Sequence, residues 1–206
     1  MLEPILLLAG MSILLIGSPG PAAMALAATG AQHSWKQGLP LVAGLICGAQ
    51  LTGLLTSAGV LALLNRWPEA RLTMQAVGGA FVLLMALRML SSGNNLADRQ
   101  EDGQMNQATF GFRSGILMNI LNPKAYAVFM LLISNYLPPM PSLWQSVLLL
   151  EAVALLASLL VTSGWLLLGL WLGRLISSPA GQQRLRGLFA GLMVVFVLPM
   201  LLSIPD

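Results

Sequence analysis

Two short proline-containing motifs carry the residues of this sequence that are best suited to bind a charged solute. One comprises Ser18, Pro19, Gly20 and Pro21, and the other comprises Asn122, Pro123 and Lys124. Proline lacks a backbone N–H group and disfavours helix in the residue before it, so each motif predicts that a helix stops and restarts. Ser18 and Asn122 are expected N-caps, with proline following at the first helical position. The free N–H groups of a restarted helix attract anions, and a carboxylate would suit such a site.

Lys124 is expected at the second position of its restarted helix, within an otherwise apolar stretch. Ionisable side chains inside membrane spans are rare and usually functional, which predicts that Lys124 binds substrate or a coupling ion. The alternative is that its long side chain snorkels to the cytoplasmic interface. Asn119 lies three residues before Asn122 on the same helical face, and is a candidate contact to substrate or to the first motif. A single proline kink is more often structural, whereas two kinks in corresponding places favour a shared binding role.

Two further polar residues in apolar surroundings are candidates for ion coupling. Glu151 lies in the run Leu148–Leu156, where it could exchange a proton, hold a substrate ammonium group, or simply lie at the outer water interface. Gln50 is the one strongly polar side chain of its span, and it could contact substrate or join two helices by hydrogen bonds.

Metal and catalytic sites find little support in the sequence. It contains one cysteine, Cys47, and one histidine, His33, too few for a thiolate or imidazole metal site. It also lacks a His-Glu-x-x-His motif and paired acids within an apolar run. We therefore expect no cofactor, no metal and no enzymatic activity.

The composition predicts the class of protein that positions these residues. The chain is 57% hydrophobic and 8% charged, whereas soluble domains carry about 25% charged residues. Apolar stretches long enough to cross a bilayer predict a single all-helical membrane domain with six spans. They cover residues 2–28, 39–64, 72–90, 114–137, 143–172 and 187–202.

The polar segment at residues 91–113 divides the chain into two halves, residues 1–90 and 114–206, of three spans each. Residues 10–19 and 114–123 are faintly similar, since each segment is an apolar run that ends in a small polar residue followed by proline. An odd number of crossings per half inverts the second half relative to the first. The sequence thus predicts two inverted three-helix repeats with broken first and fourth helices, an arrangement found in secondary transporters.

The positively charged residues argue against one class of partner and predict the orientation of the chain in the membrane. The net charge is +3, but the ten Lys and Arg residues are scattered and form no basic face, which argues against nucleic-acid binding. All of them except Arg66 and Arg71 lie in the loops that follow the first, third and fifth spans, or at adjoining span ends, and so on one side of the membrane. This predicts an inner-membrane protein whose termini face away from the cytoplasm.

Gly44 and Gly48 predict close approach of another helix, either within the chain or in a homodimer.

Together, these motifs, a glycine-rich second span and a length near 200 residues resemble the LysE/RhtB family of amino-acid exporters, of the lysine and homoserine–threonine type. The resemblance covers the whole chain. It implies export of amino acids or close derivatives from the cytoplasm, driven by an ion gradient, usually of protons. Its Pro-Gly-Pro and Asn-Pro-Lys motifs match Pro19–Pro21 and Asn122–Lys124. The chain departs from the family in having no acidic residue in the second span, which puts a carboxylate coupling site there in doubt.

A second class of function remains open on the sequence alone. The chain could be a membrane bundle that does not transport, such as a lipid scramblase or an assembly scaffold. A lipid-handling protein would need a groove that opens to the bilayer.

Overall fold

A computed structural model describes residues 2–59, 66–91, 110–176 and 178–202, and all regular secondary structure in these ranges is helical. The helices are α1 (Leu2–Gly17), α2 (Pro21–Gln32), α3 (Trp35–Ser57), α4 (Pro68–Ser91), α5 (Phe112–Ile120), α6 (Pro123–Tyr136), α7 (Leu143–Leu175) and α8 (Pro179–Leu202). The end of the predicted second span and most of the predicted central polar segment lie outside the described residues.

Both predicted helix breaks are present. The axes of α1 and α2 differ by 71°, and those of α5 and α6 differ by 65°. Among the described residues, α3 and α7 are each long and apolar enough to cross a membrane, and each bent pair meets the same test when taken as one span. The described part of the chain therefore offers two to four spans by length and composition, which agrees with a membrane protein.

Four helices begin earlier than the sequence patterns predict, namely α3, α4, α5 and α8. α3 begins at Trp35 because Ser34 and Gln37 form a capping box, with Ser34 N donating to Gln37 Oε1 at 3.0 Å. The predicted loop at residues 29–38 is correspondingly short. α8 begins at Pro179, a residue suited to the first helical turn, so Arg184 and Arg186 are helical rather than part of the predicted loop.

α3 and α7 form an antiparallel pair that contacts most of the other helices. Gly38 lies against Leu166, and Gly53 lies against Glu151, so the two helices run in opposite directions. By contrast, α2 runs in the same direction as α7. Ala31, near the C-terminal end of α2, lies against Gly173, near the C-terminal end of α7.

The helix contacts show an approximate symmetry between the two halves of the chain. When α1–α4 are matched in order with α5–α8, most contacts between two helices correspond to a contact between their matched helices. α1 packs against α7 and α5 against α3; likewise, α2 packs against α7 and α6 against α3. The pairs α3–α7 and α4–α8 map onto themselves. The exchange is incomplete, because α2 packs extensively against α8 while the matching pair of α4 and α6 has at most weak contact among the described residues.

Gly44 and Gly48 are covered by a helix of the same chain. A Cβ atom added at Gly44 would collide with the backbone of Phe112, and one added at Gly48 would lie 2.9 Å from Ile116 Cα. Across the same contact, a Cβ at Gly115 would lie 2.5 Å from the backbone nitrogen of Leu45. These glycines allow the backbones of α3 and α5 to approach closely. The packing interpretation of Gly44 and Gly48 is therefore the correct one, and this face is not free to form a dimer.

Candidate functional site

The first helix break restarts two residues later than predicted. The expected N-cap, Ser18, turns back to α1, where its Oγ donates to the carbonyl of Leu15 at 2.6 Å. The N-cap of α2 is instead Gly20, with an extended backbone (φ −176°, ψ −179°), and Pro21 is the first helical residue. The prediction of Ser18 as a cap was wrong because Pro21 disfavours helix at Gly20, as Pro19 does at Ser18.

This shift leaves the N-terminus of α2 open. Gly20 has no side chain, and no side-chain hydrogen bond caps α2. The first backbone hydrogen bond of the turn runs from Met24 N to Gly20 O, at 3.0 Å. The N–H groups of Ala22 and Ala23 precede it, as the unpaired donors at the start of a helix do. Two amide donors and the positive end of the helix dipole therefore meet at this point.

The second break is capped as the sequence predicts. Asn122 is the N-cap of α6, and its side chain accepts from Lys124 N at 3.0 Å. The carbonyl of Asn122 accepts from Ala125 N, also at 3.0 Å. Pro123 fills the first helical position, and Lys124 the second. Since the amides of Lys124 and Ala125 are engaged, the two helix N-termini are not equivalent as anion sites.

The Lys124 side chain crosses from the second break to the first. Its Nζ donates to the carbonyl oxygens of Ser18 at 2.9 Å and of Pro19 at 3.0 Å. A Cβ added at Gly20 would lie 3.1 Å from the same Nζ. The ammonium group is therefore held beside the open N-terminus of α2. Two of its three N–H donors are used by the protein, which leaves one for a ligand.

A cavity of about 70 Å³ lies between the two breaks. Its polar or backbone-exposing lining residues are Ser18, Gly20, Pro21, Asn119, Asn122 and Lys124. One water needs about 10–15 Å³ of such volume, so this space holds a solute of several heavy atoms. Two residues predicted for the site lie outside the lining: Pro19, which supplies a carbonyl to Lys124, and Pro123, which begins α6.

The apolar wall of the cavity was not predicted from the sequence. It consists of Leu15, Ile16, Ala22, Ala23, Ala49, Ala125, Val128 and Phe129. The cavity lies where two hydrophobic cores meet, since Ala23 belongs to one core and Phe129 to the other. Val128 could have been found because it lies one turn after Lys124 on the same helical face. Ala49 carries no comparable signal.

Asn119 lines the cavity, and its side-chain hydrogen bond among the described residues goes to α3 rather than to the first break. Its Nδ2 donates to the carbonyl oxygen of Leu45 at 2.7 Å, a bond between α5 and α3. The amide oxygen takes no part in that bond and is left as an acceptor. Asn119 therefore holds α5 on α3 and can still present an acceptor to a ligand.

Glu151 and Gln50 lie next to the cavity but do not line it. Glu151 is only 7% exposed, so its carboxyl group is packed within the helix bundle. With the Gln50 amide oriented to give hydrogen bonds, its nitrogen lies 3.2 Å from Glu151 Oε2 and 3.0 Å from the Glu151 carbonyl oxygen. Gln50 thus joins α3 to α7, in agreement with the helix-joining alternative.

Comparisons with known proteins point in one direction. The family model described as LysE type translocator matches residues 13–203. A homoserine/homoserine lactone efflux protein of Salmonella typhimurium is 22% identical over 189 residues, which cover 89% of each chain. A leucine efflux protein of Klebsiella pneumoniae is 26% identical over 114 residues, covering 55% of this chain and 54% of the relative. An uncharacterized membrane protein of Vibrio cholerae is 25% identical over 165 residues, covering 80% and 78% respectively. No solved structure matches the chain.

Proposed function

The chain belongs to the LysE type translocator family, and from that premise we propose that it exports amino acids or closely related small zwitterions from the cytoplasm. Its activity is translocation across a membrane rather than catalysis. The relatives named as homoserine and leucine efflux proteins support an amino-acid cargo.

The observation that carries this proposal is the position of Lys124 Nζ beside the open N-terminus of α2. The third N–H of the ammonium group and the amides of Ala22 and Ala23 are donors at one end of the cavity. A substrate carboxylate can accept from all of these, and charge-assisted hydrogen bonds of this kind are roughly twice as strong as neutral ones. The N-terminus of α6 contributes less, because Asn122 already caps it.

The remaining groups of the cavity suit the other parts of an amino acid. The amide oxygen of Asn119 and the hydroxyl oxygen of Ser18 are acceptors available to a substrate ammonium group. The apolar wall, which includes Ala49, Val128 and Phe129, would surround an uncharged side chain. The site therefore suits a small, uncharged side chain better than a long charged one.

In the proposed architecture, six spans form two inverted repeats, and both termini face away from the cytoplasm in the inner membrane. α4 and α8 contain 24 residues each, a length of roughly 36 Å at 1.5 Å per residue, enough to cross a bilayer core. The exchange of packing pairs between the two halves supports the repeat. A homodimer would need a face other than that of Gly44 and Gly48, because α5 covers them.

Transport proceeds by rocking of one half against the other, with the cavity opening alternately to the two sides. The hydrogen bonds from Lys124 to the carbonyls of Ser18 and Pro19 join the halves, and a bound carboxylate competes for the same ammonium group. A proton gradient supplies the driving force.

Purified protein in liposomes, with an imposed pH gradient and a panel of labelled amino acids, tests the proposal. We expect uphill movement of one or a few amino acids and no movement of the corresponding amides, which lack the carboxylate. Failure to move any amino acid against a concentration gradient would contradict the proposal.

A second candidate, lipid handling, is favoured by one observation. An open, mainly apolar groove of about 490 Å³ runs between α1 and α7, and Ser18 and Trp165 are among its lining residues. The groove could accept an acyl chain, although it offers few polar groups to a lipid head group. Labelled phospholipid in the same liposomes separates the two functions, since lipid flipping without amino-acid movement would replace export by lipid handling.

A further inference from the structure

We propose that Glu151 is the binding site for the coupling proton, and that the Phe129 side chain separates it from the substrate cavity. This inference rests on the proposed export function and adds to it the group that carries the proton. Of the other two coupling candidates, Gln50 then positions the carboxyl group of Glu151, and Lys124 binds substrate.

The surroundings of the carboxyl group are those of a proton site. Glu151 is 7% exposed, and its Oε1 has no hydrogen-bond partner among the described residues. Such an isolated negative charge is unfavourable in a dry environment, whereas a bound proton removes the charge. The amide of Gln50 contacts the other oxygen, Oε2, and so fixes the orientation of the carboxyl group.

Gly53 makes room for this arrangement. A Cβ added at Gly53 would lie 2.5 Å from Cε1 of Phe129, and closer still to Oε1 of Glu151. The ring edge and the unpaired carboxyl oxygen are therefore neighbours over the same glycine. Phe129 is 2% exposed and also lines the substrate cavity. One aromatic side chain thus lies beside the proposed proton site and also lines the substrate cavity.

Among the residues that the structure describes, no charged group near Glu151 accounts for its burial. α7 packs against α1, α2, α3 and α6, and α2 has no ionisable side chain. The ionisable residues of the other three helices are Glu3, Lys36, Cys47, Lys124, Tyr126 and Tyr136. Glu3, Lys36 and Cys47 are exposed, and Lys124 Nζ donates to carbonyls of the first break. Within the described chain, the carboxyl group is thus not the partner of a structural ion pair.

The proposed cycle accounts for every proton and moves one net positive charge inward for each zwitterion exported. When the cavity faces outward and has released its substrate, the Glu151 carboxylate takes up one proton from the outer solution. The neutral acid allows the empty transporter to return to the inward-facing state. Displacement of Phe129 there admits water, the proton leaves to the cytoplasm, and the next substrate binds. One proton enters for each turnover that exports substrate.

The decisive experiment compares the wild-type protein with Glu151→Gln in liposomes under two conditions. Glutamine keeps the size of the neutral acid but carries no exchangeable proton. We expect Glu151→Gln to lose accumulation driven by a pH gradient, while it still exchanges labelled for unlabelled amino acid at equal pH. Glu3→Gln, which removes an exposed carboxyl from α1, is the matched control and should behave as wild type.

The outcomes separate this inference from the function on which it rests. If wild type moves amino acids and Glu151→Gln accumulates them equally well under a pH gradient, the inference is wrong and the export function stands. If wild type moves none, the export function itself fails.

A measurement on the wild-type protein covers the case in which the variant does not fold. Dicyclohexylcarbodiimide reacts with protonated carboxyl groups in apolar surroundings. We expect mass spectrometry to find the adduct on Glu151, together with loss of gradient-driven accumulation. An unmodified Glu151 in fully active protein would overturn the proposal.

Discussion

Lys124 Nζ donates to the carbonyl oxygen of Ser18 at 2.9 Å, although the two residues are 106 positions apart and belong to opposite halves of the chain. The carbonyl is free to accept because the helix is broken at Ser18, and the lysine reaches it because α6 begins one residue before Lys124. One ammonium group therefore connects both helix breaks and lies beside the only one of the two N-termini that has no side-chain cap. The proposed mode of substrate binding depends on this geometry.

A carboxylate supplied by the protein itself should block the site. In Gly20→Asp, the new side chain would cap α2 and lie against Lys124 Nζ, which is 3.1 Å from the position of a Cβ there. We expect transport to fall to background while the protein gains only a few tenths of a kcal/mol of stability, because glycine is itself a fair N-cap. Transport assays and thermal unfolding in detergent measure the two effects. Gly20→Asn is the uncharged control, and equal transport by the two variants would show that the introduced charge is irrelevant.

Removal of the side chain that caps α6 should destabilise the start of this helix. Asn122→Ala leaves the amide of Lys124 without its acceptor, and we expect a loss of about 0.5–2 kcal/mol in stability, with reduced transport. Asn122→Ser retains a capping oxygen and should keep most of both. Asn135, an exposed residue on the same helix, provides the control Asn135→Ala. A Ser variant as impaired as the Ala variant would count against a capping role.

The close approach of α3 and α5 should not tolerate a methyl group. Gly44→Ala would press a Cβ into the backbone of Phe112, and overpacking of this kind typically costs about 1–3 kcal/mol. The expected result is a lower thermal unfolding temperature in detergent micelles. Gly164→Ala is the matched control, because nothing lies within 4 Å of a Cβ at that helical glycine. Unchanged stability of Gly44→Ala would mean that the backbones of α3 and α5 are too far apart for a methyl group to collide.

Substrate size should depend on the apolar wall. Ala49 lines the cavity, so Ala49→Leu fills part of the roughly 70 Å³ available. We expect transport of amino acids with branched or long side chains to fall about 10-fold or more relative to the smallest ones, since lost apolar contacts and steric overlap are each worth roughly 1–3 kcal/mol. Competition among labelled substrates gives the ratio directly. Ala152→Leu, at an exposed position of α7, should leave the ratio unchanged.

The sequence predicts the helix breaks well because proline acts locally. The cap at Asn122 and the position of Lys124 in the first turn follow from residue types alone. The same rule, applied to Pro21 as well as to Pro19, would also have identified Gly20 as the true start of α2. The sequence favours Ser18 because its side chain is a good cap when considered in isolation.

The contacts of these residues were beyond sequence reasoning. The direction of the Lys124 side chain depends on how α6 meets the first break, and that is set by tertiary packing. The pairing of Glu151 with Gln50 and Gly53 depends in the same way on the register of α3 against α7. Small residues such as Ala49 and Gly53 shape the site through the space they leave empty, and one sequence contains no signal for such space.

Gradient-driven amino-acid transport by Lys124→Met in liposomes tests whether the ammonium group that joins the two breaks binds the substrate. Methionine keeps an unbranched apolar side chain but removes the ammonium group, and Lys36→Met provides the control at an exposed lysine. We predict that wild type and Lys36→Met accumulate the same amino acid, whereas Lys124→Met remains at the background of protein-free liposomes although it is folded and inserted. Transport by Lys124→Met at the wild-type rate would contradict the account, because the carboxylate would then be bound without the group that joins the two breaks.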